Sequence, residues 1–233
     1  MHILLLFAGI GFGGLRRVLA AGKKVRLVTY VDKDPVSRRI AGGVLEGLQR
    51  QHPELLSLEA IKGFDRRLPQ DISQIGSGEL TNLIARNGMV DMVVGGWECQ
   101  PVSKAGRGEG LKDPRFDYFY DMVGITNFLQ REQRRQPIHL FENTYPGQVV
   151  ARTRAVLNAG ELVEAFLGAP VVLDAAGLRG AAHRVRLYWT NFMEAGMLQA
   201  AILQKLQPEP TLKSILKSYH IPTAPGFDGP TPK

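Results

Sequence analysis

Cysteine is nearly absent: Cys99 is the only one in 233 residues. A single thiol can form no internal disulfide, which excludes stapled secreted scaffolds and fits a reducing compartment. No apolar run approaches the ~20 residues that span a bilayer, so no membrane association is expected. The opening run Met1 to Phe7 is too short for a secretory leader and has no charged residues ahead of its apolar stretch. Secretion is therefore not expected; the expected compartment is the cytoplasm in a prokaryote or phage and the nucleus in a eukaryote. There is no internal repeat, and no metal site is expected. Acidic residues are the scarcer charge, 22 against 29 Lys plus Arg, a net +7. Such a surface suits a polyanionic partner, although proteins that bind none share it.

What is present is a globular pattern. At 44% hydrophobic content the chain can build one core with at most a small appendage. Strand-like runs alternate with helix-like ones. Strands are expected at Ile3–Ala8, Val25–Val31, Val90–Val94, Ile138–Phe141, Val171–Leu173 and Val185–Thr190. Helices are expected at Gly13–Ala21, from Asp34-Pro35 to about Arg50, at Glu79–Arg86, from Asp113-Pro114 to about Arg135, and at Gln148–Asn158 with a stop at Ala159-Gly160. The two Asp-Pro pairs combine an N-cap carboxylate with proline at the first helical position. Short, nearly all-apolar strands between helices predict an α/β fold, a mostly parallel sheet with helices on both faces. Ligands of such sheets sit at the carboxyl ends of the strands. A catalytic domain is expected over 1–206. Prolines crowd residues 207–233, which read as an extended tail apart from a turn at Leu212–Tyr219.

Two places carry chemistry. Phe7-Ala8-Gly9-Ile10-Gly11 follows the first strand and leads into a helix, so its backbone can turn tightly and approach a ligand. The second strand ends at Asp32, about twenty residues on, where folds of this kind bind ribose hydroxyls. Asp34 is assigned to helix capping. Asp71 and Ile72 either meet an adenine edge or belong to a capped loop. The second place is Gly95-Gly96-Trp97-Glu98-Cys99-Gln100-Pro101-Val102-Ser103, a lone thiol just after a buried strand. The glycine-rich basic loop Lys104–Lys112 follows it. A thiol outside the apolar core, beneath a mobile loop, suits a nucleophile.

Taken in order, Phe7 to Gly11, Gly95-Gly96 with Cys99-Gln100-Pro101 and Ser103, Phe141-Glu142-Asn143, and Ala181-Ala182-His183-Arg184-Val185-Arg186 resemble the motif series of the DNA cytosine-C5 methyltransferases. The last block, continued by Leu187-Tyr188-Trp189-Thr190-Asn191, is most similar to the de novo branch and to some phage enzymes. The resemblance runs from about Leu4 to Phe192. It implies a Rossmann-like, S-adenosylmethionine-dependent methyltransferase fold and methyl transfer to C5 of a cytosine flipped from duplex DNA. Cys99 becomes the nucleophile. Glu142 contacts N3 and the exocyclic amine, and must carry a proton to donate there, so a buried carboxyl is expected. Arg186 reaches the cytosine O2, and Arg184 pairs with Glu142 or a phosphate. Phe7, Ala8, Gly9, Ile10, Gly11, Asp32, Asp71 and Ile72 hold the cofactor. Gln100, Ser103, Lys104 and Arg107 contact phosphate or the orphaned base. His183 is structural.

The sequence departs from that pattern at Trp97-Glu98, where the family usually has proline immediately before the cysteine. A carboxylate there opposes thiolate formation. The family's target-recognition region and closing motifs are not found after Asn191. The expectation is a catalytic half: a fragment, a decayed gene, a split enzyme whose partner chain supplies the rest, or a product of a mobile element or phage. Two alternatives stand beside this reading: a catalytically silent regulatory partner of an active enzyme, and methylation of a tRNA cytosine by the same chemistry.

Overall fold

The computed structural model describes residues 1–7, 9, 12–102, 109–144, 154–178 and 183–205. The elements run β1 (His2–Leu6), α1 (Gly13–Ala20), β2 (Leu27–Val31), α2 (Pro35–Gln51), α3 (Leu58–Ile61), α4 (Ser77–Asn87), β3 (Met92–Gly95), α5 (Asp117–Gln133), β4 (Ile138–Thr144), α6 (Arg154–Leu167), β5 (Val171–Asp174), β6 (Val185–Thr190) and α7 (Ala195–Lys205). Single 3-10 turns at Ile72–Gln74, Gly110–Lys112, Pro114–Phe116 and Ala176–Leu178 lie between them.

The six strands form one sheet in the order β2-β1-β3-β4-β6-β5. The pairs β2–β1, β1–β3 and β3–β4 are parallel. β6 is antiparallel to both of its neighbours, β4 and β5. The expectation of a mostly parallel sheet covered on both faces therefore holds. Side-chain alternation along β1 builds two cores. Leu4 and Leu6 pack with Val93, Phe141 and Trp189 under α4, α5 and α6. Ile3 and Leu5 pack with Val28, Tyr30 and Met92 under α1, α2 and α3.

Local signals explain most helix ends. Asp34 caps α2, accepting from the Val36 and Ser37 amides with Pro35 in the first turn. Ala41, Leu45 and Leu48 then recur on its buried face. The Asp113-Pro114 signal opens a 3-10 turn, and α5 follows from Asp117. The predicted stop at Ala159-Gly160 is corrected: α6 continues to Leu167 and ends at Gly168, at φ +76°. Ala159 is fully buried in the core, so this small-residue pair lies inside the helix instead of capping it. The start expected at Gln148, the tail over 207–233 and its turn at Leu212–Tyr219 lie outside the described residues. Sequence patterning missed α3 and α7.

Both sheet borders are covered by hydrogen bonds. Along β2, the Tyr30 amide donates to the Phe64 carbonyl at 2.8 Å, and Arg67 Nη1 donates to the Val28 carbonyl at 2.7 Å. Gln70 Nε2 donates to the Tyr30 carbonyl at 3.2 Å while its Oε1 accepts from the Asp32 amide at 3.4 Å. On β5, the Val172 amide donates to Gln199 Oε1 of α7 at 2.9 Å. Among the described residues no helix is long and apolar enough to cross a membrane.

Candidate active site

The parallel register aligns Leu6, Val31, Gly95 and Phe141 across four strands. One residue further, at the carboxyl end of each, stand Phe7, Asp32, Gly96 and Glu142. The antiparallel partner β6 places Tyr188 opposite Glu142 and Arg186 opposite Thr144. The period of two then puts Leu140, Glu142 and Thr144 on one face, and His139, Phe141 and Asn143 on the other.

A cavity of about 570 Å³ opens on the first of these faces. Cys99, Glu142, Arg184 and Arg186 all line it, together with Phe7 and Tyr188, and Gly13 and Gly14 contribute from the start of α1. Arg186 Nε forms an ion pair with Glu142 Oε1 at 2.8 Å. Arg186 Nη1 donates to its neighbour's carbonyl, Val185 O, at 2.8 Å. Of the two partners expected for Arg184, a phosphate or Glu142, the second is taken by Arg186, which stands diagonally across the ladder from Glu142. The expected burial of the carboxyl is not found either: the Glu142 side chain is 41% exposed towards the cavity. Burial holds the Tyr188 phenol above its usual range, and the charge on Glu142 adds to the effect.

Backbone contacts set the thiol's position. A Cβ on Gly95 would lie 2.5 Å from the Leu6 carbonyl oxygen, and one on Gly96 would collide with the Glu142 carbonyl oxygen. The chain leaving β3 therefore runs flush against its neighbours. Asn143, buried on the reverse face, donates through Nδ2 to the Trp97 carbonyl at 3.3 Å. Trp97 itself packs against Phe119 and Trp189, with ring centroids at 4.9 and 5.3 Å. Cys99 follows in a turn closed by Val102 N–H donating to the Cys99 carbonyl at 3.0 Å. Gln100 is half-buried there, its Oε1 enclosed without a hydrogen-bond donor among the described residues.

The glycine turn is organised by Asp32. Its Oδ2 accepts from Gly9 N–H at 2.9 Å and its Oδ1 from Asp34 N–H at 3.0 Å. Tyr30 donates its hydroxyl to the Gly9 carbonyl at 2.8 Å. Phe7 and Gly9 both take positive φ, +50° and +48°. Gly9 is thus held at both its amide and its carbonyl, and among the described residues each Asp32 oxygen retains a lone pair for a further donor. A hydroxylated cofactor fits that donor set. Asp71 proves to be a capping residue: its Oδ1 accepts from Ser73 N–H at 3.1 Å and from the Ser73 hydroxyl at 2.8 Å. The Ile72 side chain is 2% exposed and packs in the core, so only its backbone could meet a ligand. Ala8, Ile10, Gly11, Ser103, Lys104 and Arg107 lie outside the described residues, as do Ala181 and Ala182.

Ahead of β6, Asp174 Oδ1 accepts from Arg184 N–H at 2.8 Å and Oδ2 contacts His183 Nδ1 at 2.9 Å. Those bonds hold the Asp174 carboxyl below the usual range, His183 contributing most. The structural role expected of His183 matches this placement. Sequence reading missed the roles of Asn143, Thr144, Tyr188 and Asp174. Strand period alone would have found Thr144, two residues beyond Glu142. A larger groove, about 920 Å³, lies between α2 and residues 58–66 and holds none of the predicted site residues. Size alone does not select the site.

No protein-family model matches the chain. Among solved structures, the S. pombe Dnmt2 methyltransferase superposes with a TM-score of 0.56 at 17% identity, over 95% of this chain and 60% of that one. A prophage-encoded E. coli protein assigned as a DNA modification methyltransferase superposes at 0.50 with 18% identity, over 82% of this chain and 46% of its own. The fold is the Rossmann-like fold of the S-adenosylmethionine-dependent methyltransferases. In sequence, 101 residues are 32% identical to the type II methyltransferase M.HgiCII of Herpetosiphon aurantiacus, 43% of this chain and 22% of that protein. The chain thus spans only part of the length of the proteins it matches.

Proposed function

We propose that this chain is the catalytic module of a cytosine-C5 methyltransferase acting on DNA, with S-adenosylmethionine as the methyl donor. The observation that carries the reading is the single cavity shared by Cys99, Glu142, Arg184, Arg186 and Phe7. Cytosine C5 is a poor nucleophile. Addition of the Cys99 thiolate at C6 pushes the ring electrons towards C5 and places negative charge at N3, dividing one hard step into easier ones. Glu142 accepts from the exocyclic amine and, after taking up a proton from solvent as it leaves Arg186, donates to N3, while Arg186 stabilises O2. Arg184 faces the same space and can meet a phosphate. The cofactor supplies an electrophilic methyl group. Phe7, Gly9 and Asp32 are the described residues that would hold it. Loss of the C5 proton and elimination of the thiolate then restore aromaticity and free the enzyme.

In this reading Glu142 releases Arg186 as the base enters. A carboxylate already paired with a guanidinium is poised to exchange one partner for a ring that presents N3 and an amine. A second reading is favoured by Glu98, a carboxylate beside the thiol that opposes its ionisation. On it, the chain is catalytically silent and lends its fold to an active partner.

The test uses duplex DNA carrying 5-fluorocytosine together with the cofactor. Methyl transfer with fluorine at C5 blocks the final elimination, so a protein–DNA adduct that survives denaturation is expected, and Cys99→Ser does not form it. An adduct on tRNA alone replaces DNA by tRNA as the substrate. An adduct on neither removes the catalytic reading in favour of the silent one.

A further inference from the structure

The residue before the thiol, Glu98, is a carboxylate, and the structure gives it a specific cation. Lys33 Nζ lies 3.7 Å from Glu98 Oε1. Lys33 follows Asp32 at the end of β2, so the pair ties the cofactor-side turn to the thiol-bearing loop. Lys33 is itself held in place by α5: its Nζ donates to the Tyr118 hydroxyl at 3.0 Å and sits 4.7 Å from the centroid of that ring. The ring packs in turn against Phe7, at 5.5 Å between centroids. The Tyr118 bond, with help from Glu98 and Asp71, holds the Lys33 ammonium above the ordinary lysine range. The charge therefore stays on.

We propose that Lys33 is a positioning residue for the thiol: it neutralises Glu98 and keeps that carboxylate turned towards β2, so that Cys99 can ionise beside it. An uncompensated carboxylate one residue away disfavours a second negative charge, and its effect falls with the dielectric between them. Among the described residues, the other charges near the thiol have partners of their own or lie apart from Glu98. Glu142 and Arg186 cancel each other at 2.8 Å. Arg115 feels the fields of Glu98 and Glu109 but is engaged by Asp113 at 2.6 Å. Arg184 lines the cavity from just ahead of β6, its amide held by Asp174. Lys33 is the cation in ion-pair contact with Glu98 among the described residues. The inference rests on the proposed role of Cys99 for its meaning, but the pairing itself can be tested without any methyl transfer.

Cys99 is the only cysteine, so alkylation by iodoacetamide reads one atom of the intact chain. Rates are compared at pH 7 for the native protein, Lys33→Met, Lys33→Arg, Glu98→Gln and the Lys33→Met/Glu98→Gln double variant. Lys33→Met is expected to slow alkylation roughly fivefold. Lys33→Arg restores the native rate, and Glu98→Gln alkylates at least as fast as the native protein. The double variant follows Glu98→Gln, because without the carboxylate there is nothing for the lysine to neutralise. At a pH where every thiol is ionised the five proteins react alike, which separates a charge effect from altered access. Equal slowing in Lys33→Met and the double variant overturns the proposal, as does an unchanged rate in Lys33→Met. Failure of the adduct experiment with the expected alkylation pattern removes the methyltransferase reading and leaves the pair standing.

Discussion

The two halves of the sheet's carboxyl edge are built on opposite plans. On the β1–β2 side the polar groups bind one another: Asp32 takes two backbone amides, Tyr30 takes a carbonyl of the turn, and Asp71 takes both donors of Ser73. On the β3–β4–β6 side the charged groups face an open cavity and share one ion pair. The first half is stiff before anything arrives. The second holds its charges in reserve. A binding turn gains from paying its ordering cost during folding. A reacting site needs groups that can change partners while the chemistry proceeds. The difference predicts that substitutions on the first side cost stability and those on the second cost reactivity.

The largest effect belongs to the open side. Cys99→Ser should lower single-turnover methyl transfer by on the order of 10³-fold or more while leaving the urea midpoint unchanged. A variant that unfolds instead would make the thiol part of the scaffold and erase the contrast. The reverse face of β4 provides a control. The His139 ring is buried against Phe141 at 4.8 Å with neither nitrogen paired, and burial pushes its pKa down to about 4. A histidine whose folded value lies below its unfolded one contributes stability above pH ~6.5 and loses it as pH falls towards 4. His139→Phe should therefore flatten the acid limb of the stability curve by about 1–3 kcal/mol between those values. His2, also pushed to about 4 by burial, would leave part of the slope in place. Denaturant melts every half pH unit would show it, and an unaltered slope would assign the acid limb elsewhere.

The junction of the two sides comes next. Gly96→Ala drives a methyl group into the Glu142 carbonyl oxygen and should cost about 1–3 kcal/mol, with the reactive loop displaced as well. It should thus lose stability and alkylation rate together, unlike substitutions on either side. The smallest effects sharpen the wired half. Asp32→Ala should cost about 1–2 kcal/mol, because two amides lose their acceptor, and should weaken cofactor binding by calorimetry. Asp71→Ala, a capping loss, should cost about 0.5–1 kcal/mol and leave cofactor affinity unchanged. A tenfold fall in affinity for Asp71→Ala would return that residue to the binding site.

The sequence exposes the two halves unequally. Strand positions were legible to within two or three residues because apolar runs with turn residues at both ends have one sensible reading. The Asp34-Pro35 start of α2 was legible because capping is local chemistry. The thiol, the carboxylate and both arginines could be named from motif order, and the sheet register explains why residues so distant in sequence meet. What could not be read was partner choice. Whether Arg184 or Arg186 reaches Glu142 depends on which residue of β6 lies across from Thr144, a fact of pairing and not of composition. Nor could the sequence show that the Ile72 side chain turns inward beside a polar Asp71. Ala159-Gly160 looked like a stop because small residues serve both as caps and as sites of close approach, and only tertiary packing tells them apart. The Lys33–Glu98 contact joins residues 65 positions apart and left no local sign.

The cover over β2 has a consequence for how copies of this chain meet. Sheets aggregate when a border strand presents free amides and carbonyls to a foreign strand. Here Arg67, Gln70 and the Phe64 carbonyl already occupy those groups, two of them through side chains that a single substitution removes. Arg67→Ala would bare the Val28 carbonyl and turn a sealed margin into a template, so a change far from the thiol would appear first as turbidity in storage and not as lost chemistry.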